Sequence, residues 1–226
     1  MIEKIVGFGE HQLVGVLHQP SRRTSACVVT CHGLYGNKDG QKYVEIAHKF
    51  YQEGVAVLRF DFTGCGESKG RFEDSTLSRR IDDLRSALDL VEQRRYEDIG
   101  VMGSSLGGCV SVLTAAEDDR IKALSTWATP CYLNKIFSRE AFPKLWEDIK
   151  EYDVAQVLRE VKRPILIIHG SLDEQVPLSH AHALYEEANE PKRLEVIEGA
   201  NHRFTDPTYR GRAVDLTVNW LKIYLK

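Results

Sequence analysis

The stretch Ile99-Gly100-Val101-Met102-Gly103-Ser104-Ser105-Leu106-Gly107-Gly108-Cys109-Val110 constrains this chain most. A short apolar run suited to a buried strand leads into Gly-x-Ser-x-Gly, and a helix-compatible apolar pattern follows. That order demands strand, very tight turn, helix. The serine at such a corner is held in a strained backbone conformation that its surroundings must support. Residues two before and two after it come close to each other and to adjacent strands, where a side chain would clash; Gly103 and Gly107 meet that demand. The turn lifts the Ser105 hydroxyl above the sheet edge. It also leaves the N–H of Leu106 unpaired at the helix start, ready to stabilise an oxyanion.

The remaining composition bounds the setting. With 226 residues, 42% hydrophobic and 28% charged, the chain is expected to form one well-buried domain over 1–226. A net charge of −3 with dispersed charges offers no basic block for nucleic acid. Met1-Ile2-Glu3-Lys4 is charged at once and no long apolar run follows, so neither a leader nor a membrane span is expected, and a cytoplasmic protein is. Five irregularly spaced cysteines read as reduced core residues, with Cys27 and Cys31 on one face of a buried strand. His180 and His182, two apart on a helix, point away from each other, and no metal is expected. Gly64-x-Gly66 lacks the correctly placed third glycine of a dinucleotide loop, and no glycine-lysine phosphate loop exists, so no cofactor is expected.

Along the chain, two alternating stretches near residues 5–8 and 13–17 predict an antiparallel edge hairpin. A strand over 27–31 ends in His32-Gly33-Leu34-Tyr35-Gly36. A helix is predicted from about Gln41 to Glu53, with Val44, Ala47, His48 and Tyr51 as its apolar side. A strand over 55–61 precedes the loop Thr63–Ser68, and Ser75 or Thr76 caps a helix burying Leu77, Ile81, Leu84, Leu88 and Val91. Strands over 123–128, 164–170 and 194–197 and helices over 179–188 and 209–224 complete a mostly parallel eight-stranded sheet with helices on both faces. The 34 residues from Thr129 to Lys162 break that rhythm and read as a small helical insertion, placed where it would act as a lid.

A serine hydroxyl needs a base within hydrogen-bond reach, and the base needs an orienting acid. Only loops at the C-terminal ends of strands converge with Ser105. Of eight histidines, His11 and His18 fall on the hairpin, His48, His180 and His182 within helices, and His169 in the sheet layer. His32 reads as structural, bonding its own loop, while Leu34 after it occupies the place of a second oxyanion donor. His202, in the loop opened by Gly199, takes the position of the base. Asp173 follows the strand after the insertion and takes that of the acid; Glu174 is one residue along and faces differently, and Asp206 comes too late.

Four motifs thus occur in order: His32-Gly33, Gly103-x-Ser105-x-Gly107, Asp173 before Val176-Pro177, and Gly199-x-x-His202. With Arg59-x-Asp61 and Gly64-x-Gly66-x-Ser68, they make the chain resemble an α/β-hydrolase across essentially its whole length. Within that superfamily it is most similar to small-lid bacterial carboxylesterases of the cinnamoyl/feruloyl type and to serine-aminopeptidase-like hydrolases. Cys65 departs from the histidine or tyrosine that this loop often carries.

The chemistry expected is cofactor-free acyl transfer to water: a Ser105 nucleophile, a His202 base, an Asp173 acid, and Leu34 and Leu106 as oxyanion donors. Trp127, Tyr132, Trp146 and Tyr152 either shape a site for small aromatic or medium acyl groups or form the core of the insertion. The partner is then a small-molecule ester, with neither nucleic acid nor membrane; a homodimer is the common default. The alternatives are a peptidase or thioesterase on the same triad and a ligand-binding protein of the same fold.

Overall fold

The computed structural model describes residues 2–225; Met1 and Lys226, which begin and end the expected domain, lie outside the described residues. In chain order the elements are β1 (Ile2–Phe8), β2 (Leu13–Gln19), β3 (Ala26–Cys31), α1 (Gln41–Gln52), β4 (Ala56–Phe60), α2 (Leu77–Gln93), β5 (Asp98–Ser104) and α3 (Leu106–Glu117). There follow β6 (Ile121–Trp127), α4 (Pro143–Asp148), α5 (Val154–Leu158), β7 (Ile165–Gly170), α6 (Ser179–Glu187), β8 (Lys192–Ile197) and α7 (Pro207–Tyr224).

Eight strands form one sheet in the order β1-β2-β4-β3-β5-β6-β7-β8. The pairs β1–β2 and β2–β4 are antiparallel, and every other pair is parallel. Parallel strands need both faces covered, and β3 shows how the sequence arranges this. Cys27, Val29 and Cys31 pack into one apolar layer, against residues of α2, α3, α5 and α6. Ala26 and Val28 pack into the other, against α1 and α7. The side-chain period of two places Cys27 and Cys31 on one face, and all five cysteines are buried free thiols.

The helix α2 is built as its pattern demands. Thr76 caps it by accepting from Arg79 N–H at 3.3 Å, and Leu77, Ile81, Leu84, Leu88 and Val91 are buried. The face of α1 differs from expectation: it buries Tyr43, Ile46, Ala47 and Phe50, while His48 is exposed. Those residues keep the i, i+3, i+4, i+7 spacing with larger apolar side chains, and that set wins the core face. Between β6 and β7 the insertion contains α4, α5 and the one-turn 3-10 helices Leu133–Lys135 and Ile149–Glu151. Among the described residues no helix is long and apolar enough to cross a membrane.

Candidate active site

Ser105 joins β5 to α3 with φ 54° and ψ −125°, a left-handed conformation that a non-glycine residue adopts only where its surroundings impose it. Its N–H donates to the Trp127 carbonyl at 2.8 Å, tying the corner to the end of β6. A Cβ at Gly103 would lie 2.3 Å from the Gly107 carbonyl oxygen, and one at Gly107 would lie 2.2 Å from that of Cys31. The two glycines are therefore what lets β5, α3 and the end of β3 meet. Leu106 opens α3, so its N–H has no partner within the helix.

Asp173 follows β7 with its side chain fully buried. Oδ1 accepts from the N–H groups of Gln175 and Val176 at 2.9 and 2.8 Å. Oδ2 accepts from His202 Nδ1 at 2.8 Å. His169, assigned to the sheet layer by its sequence position, reaches the same oxygen from β7 at 3.3 Å, while its Nε2 lies 2.8 Å from the Val176 carbonyl. Burial alone pushes the Asp173 carboxyl up, but hydrogen bonds from His169, His202 and Val176 outweigh it and hold the group below the usual carboxylate range. Glu174 is exposed and lines a neighbouring groove instead.

His202 and Ser105 line one cleft of about 760 Å³, together with Leu34. His202 bonds Asp173 through Nδ1, which leaves its other ring nitrogen, Nε2, outside that contact. His32 is structural, as its loop position implies. Its Nδ1–H donates to the Gly33 carbonyl at 2.8 Å, and its Nε2 accepts from Phe62 N–H at 3.1 Å. Burial and the Arg80 charge push its pKa down to about 3, so the ring is neutral.

Sequence reasoning did not identify Arg80 as part of the site. Its fully buried guanidinium donates to the carbonyls of His32, Gly33 and Leu34 at 3.3, 3.3 and 3.1 Å, and lies 4.7 Å from the Phe62 ring centre. Three consecutive carbonyls turned toward Arg80 fix the peptide planes of the loop that carries the Leu34 N–H.

The four aromatics proposed from the sequence as substrate contacts do not line this cleft. Trp127 is fully buried in the α1–α7 layer, where its indole N–H donates to Thr217 at 2.8 Å. Tyr132 lines the neighbouring groove beside His180. Trp146 packs on the opposite apolar layer, and the Tyr152 hydroxyl lies 2.8 Å from that of Ser78, fastening the insertion to α2. The apolar wall comes instead from Tyr35, Ile136, Phe137 and Phe142, with Tyr35 and Phe142 ring centres 5.9 Å apart. Tyr35 adjoins Leu34 in the His32-Gly33 loop, which was the one available signal. The charged side chains that line the cleft are Lys42, Arg203 and Arg210.

Comparison with known proteins agrees with this architecture. The sequence model of a family described as serine aminopeptidase, S33, matches residues 22–149, more than half the chain. The uncharacterized protein YfhR of Escherichia coli K12 is 28% identical over 217 residues, covering 89% of this chain and 73% of its own. Est1E of Butyrivibrio proteoclasticus, solved with bound ferulic acid, superposes with a TM-score of 0.83 at 22% identity over 96% of this chain and 100% of that one. The Pyrococcus furiosus esterase Pf2001 superposes with a TM-score of 0.84 at 24% identity, covering 100% of this chain and 94% of its own.

Proposed function

The chain belongs to the serine aminopeptidase S33 family and is an α/β-hydrolase; from that premise we propose that it is a serine esterase working through Ser105, His202 and Asp173. The observation that carries this reading is the 2.8 Å contact between His202 Nδ1 and Asp173 Oδ2 behind a cleft that His202 shares with a positive-φ serine. Ser105 Oγ attacks the ester carbonyl carbon as its proton passes to His202 Nε2. The carbonyl oxygen, now negative, is received by the N–H groups of Leu34 and Leu106. Losing one such donor typically costs about 3 kcal/mol of barrier. The C–O bond to the alcohol breaks as His202 returns the proton to it. Water then attacks the acyl-serine with His202 again as base, releasing the acid and restoring Ser105.

The substrate class we assign is esters of small aromatic or short-to-medium acyl groups. The volume of the cleft and the wall of Tyr35, Phe137 and Phe142 support it. Ferulic acid, bound by the structurally similar Est1E, is itself a small aromatic acid. The family's description favours aminopeptidase cleavage as a second reading. Against it, a peptide's protonated α-amino group would meet the cations Lys42 and Arg203 that line this cleft.

A panel of p-nitrophenyl acetate, butyrate and decanoate with methyl ferulate, on wild type and Ser105→Ala, tests the proposal. Turnover of at least one ester that disappears in Ser105→Ala is expected. Silence of the wild type across the panel, with turnover of aminoacyl arylamides, would replace the esterase reading by the peptidase one.

A further inference from the structure

The cleft is lined by aromatic side chains and by three cations, and the charge of those cations is incompletely neutralised. Arg210 is satisfied: it pairs with Glu45 at 2.9 Å and donates to the carbonyls of Phe204 and Thr205. Lys38 is likewise surrounded by Asp39, Asp61 and Glu67. Lys42 is not. It is half-buried in the first turn of α1, and its Nζ donates to Ser104 Oγ at 2.9 Å. Its other neighbours are the faces of Tyr43, Trp127 and Phe204, with ring centres 5.8, 5.8 and 5.9 Å away. Among the described residues no carboxylate stands within 4.0 Å of it. Arg203, exposed and adjacent to His202, also lines the cleft without a carboxylate at that distance among the described residues.

Burial and the nearby charges of Arg203 and Arg210 push Lys42 down to about 8, against the pull of Asp173. That carboxylate is already occupied by His169, His202 and two backbone N–H groups. A half-buried ammonium held by one hydroxyl and three ring faces is stabilised further by any anion that reaches it, because water solvates it incompletely and a charge-assisted hydrogen bond is strong there. The apolar wall, formed by Tyr35, Phe137 and Phe142, gathers in a separate cluster of ring contacts.

We propose that the cleft is a site for esters that carry a carboxylate, which Lys42 and Arg203 hold while the apolar body of the substrate lies against Tyr35, Phe137 and Phe142. This rests on the serine-esterase reading, and it narrows the substrate class to monoanionic esters.

The test compares p-nitrophenyl hemiglutarate with p-nitrophenyl pentanoate, which have the same acyl length with and without the charge. A second arm moves the carboxylate to the leaving phenol, comparing 4-acetoxybenzoate with phenyl acetate. Each arm is run on wild type, Lys42→Met and Arg203→Gln, with Ser105→Ala giving the uncatalysed background. The readout is the ratio of kcat/KM for the charged ester to that for the neutral one. In at least one arm, Lys42→Met should lower that ratio about tenfold or more, Arg203→Gln should lower it less, and added salt should shrink the difference. A ratio unmoved by Lys42→Met in both arms overturns the proposal. If the wild type hydrolyses none of these esters and is also silent on p-nitrophenyl acetate, butyrate and decanoate and on methyl ferulate, the esterase reading fails on its own. The anion site is then decided by calorimetry of glutarate on Ser105→Ala and on Ser105→Ala with Lys42→Met. Binding lost with Lys42 upholds the site, and equal or absent binding to both overturns it.

Discussion

His202 Nδ1 lies 2.8 Å from Asp173 Oδ2, an oxygen on a side chain without solvent exposure. The other oxygen of that carboxylate is held by the N–H groups of Gln175 and Val176, so its plane is fixed before any substrate arrives. A carboxylate so fixed selects the His202 tautomer with the proton on Nδ1 and leaves Nε2 basic. Asp173→Asn can still accept at one oxygen, but it presents an amide where the imidazole proton should go. We expect kcat on the best ester to fall about 10⁴-fold with little change in the unfolding midpoint. Steady-state kinetics with circular dichroism melting checks this; a loss under tenfold would remove Asp173 from its role.

Arg80 positions the loop that carries the Leu34 N–H through the carbonyls of His32, Gly33 and Leu34. Arg80→Met keeps much of the buried volume and loses these three bonds together with those to Ser75 and Cys65. The expected outcome is a kcat reduced about tenfold or more with KM for a neutral ester little changed, because the Leu34 N–H matters most when negative charge develops. A purely structural residue would instead lower the amount of folded enzyme and leave kcat per folded active site intact, which active-site titration separates.

The corner itself admits almost no change. Gly107→Ala brings a Cβ to 2.2 Å from the Cys31 carbonyl oxygen, a backbone atom that cannot swing away. We expect a loss of about 3 kcal/mol or more in urea unfolding. Gly211→Ala, where a Cβ meets nothing within 4 Å, is the control and should be near neutral or stabilising.

The legibility of this site follows the physics of each part. Gly103, Ser105 and Gly107 were readable because a left-handed corner flanked by two close approaches admits so few residues. Asp173 and His202 were readable because only strand ends converge on that corner. The cleft wall was not. The helices α4 and α5 have six and five residues, too few for a 3.6-residue period to declare which side faces inward. Phe137, Phe142 and Tyr152 lie outside both helices, where no period sorts them at all, and so looked no different from Trp146. Trp127 misled because it ends a strand near the corner. Its alternation with Ser125, whose hydroxyl is 3.0 Å from that of Thr217, places both toward α7. Lys42 gave no signal, since a lysine in a first turn reads as solvated until three rings are folded around it.

Acid should weaken the fold through histidines kept neutral inside it. Burial and Arg80 lower His32 to about 3, and burial and Arg59 lower His18 to about 4, from an ordinary value of 6.5. The unfolded chain therefore binds these protons first. Their contribution is intact above pH 6.5 and is lost as pH falls from 6.5 toward 4 and 3. His32 alone accounts for up to about 1.4 kcal/mol per pH unit inside that window. Urea midpoints of the wild type should drop between pH 7 and pH 5, and those of His32→Gln should drop less. Parallel profiles would contradict the assignment.

The most direct test is covalent capture of the nucleophile. The protein is incubated with an alkyl p-nitrophenyl phosphonate, digested and mapped by mass spectrometry, alongside Ser105→Ala. One phosphonyl group on the peptide containing Ser105, with p-nitrophenol released in equal amount and ester turnover abolished in step, is the expected result. An unlabelled Ser105, or ester turnover that persists in Ser105→Ala, would contradict the serine mechanism.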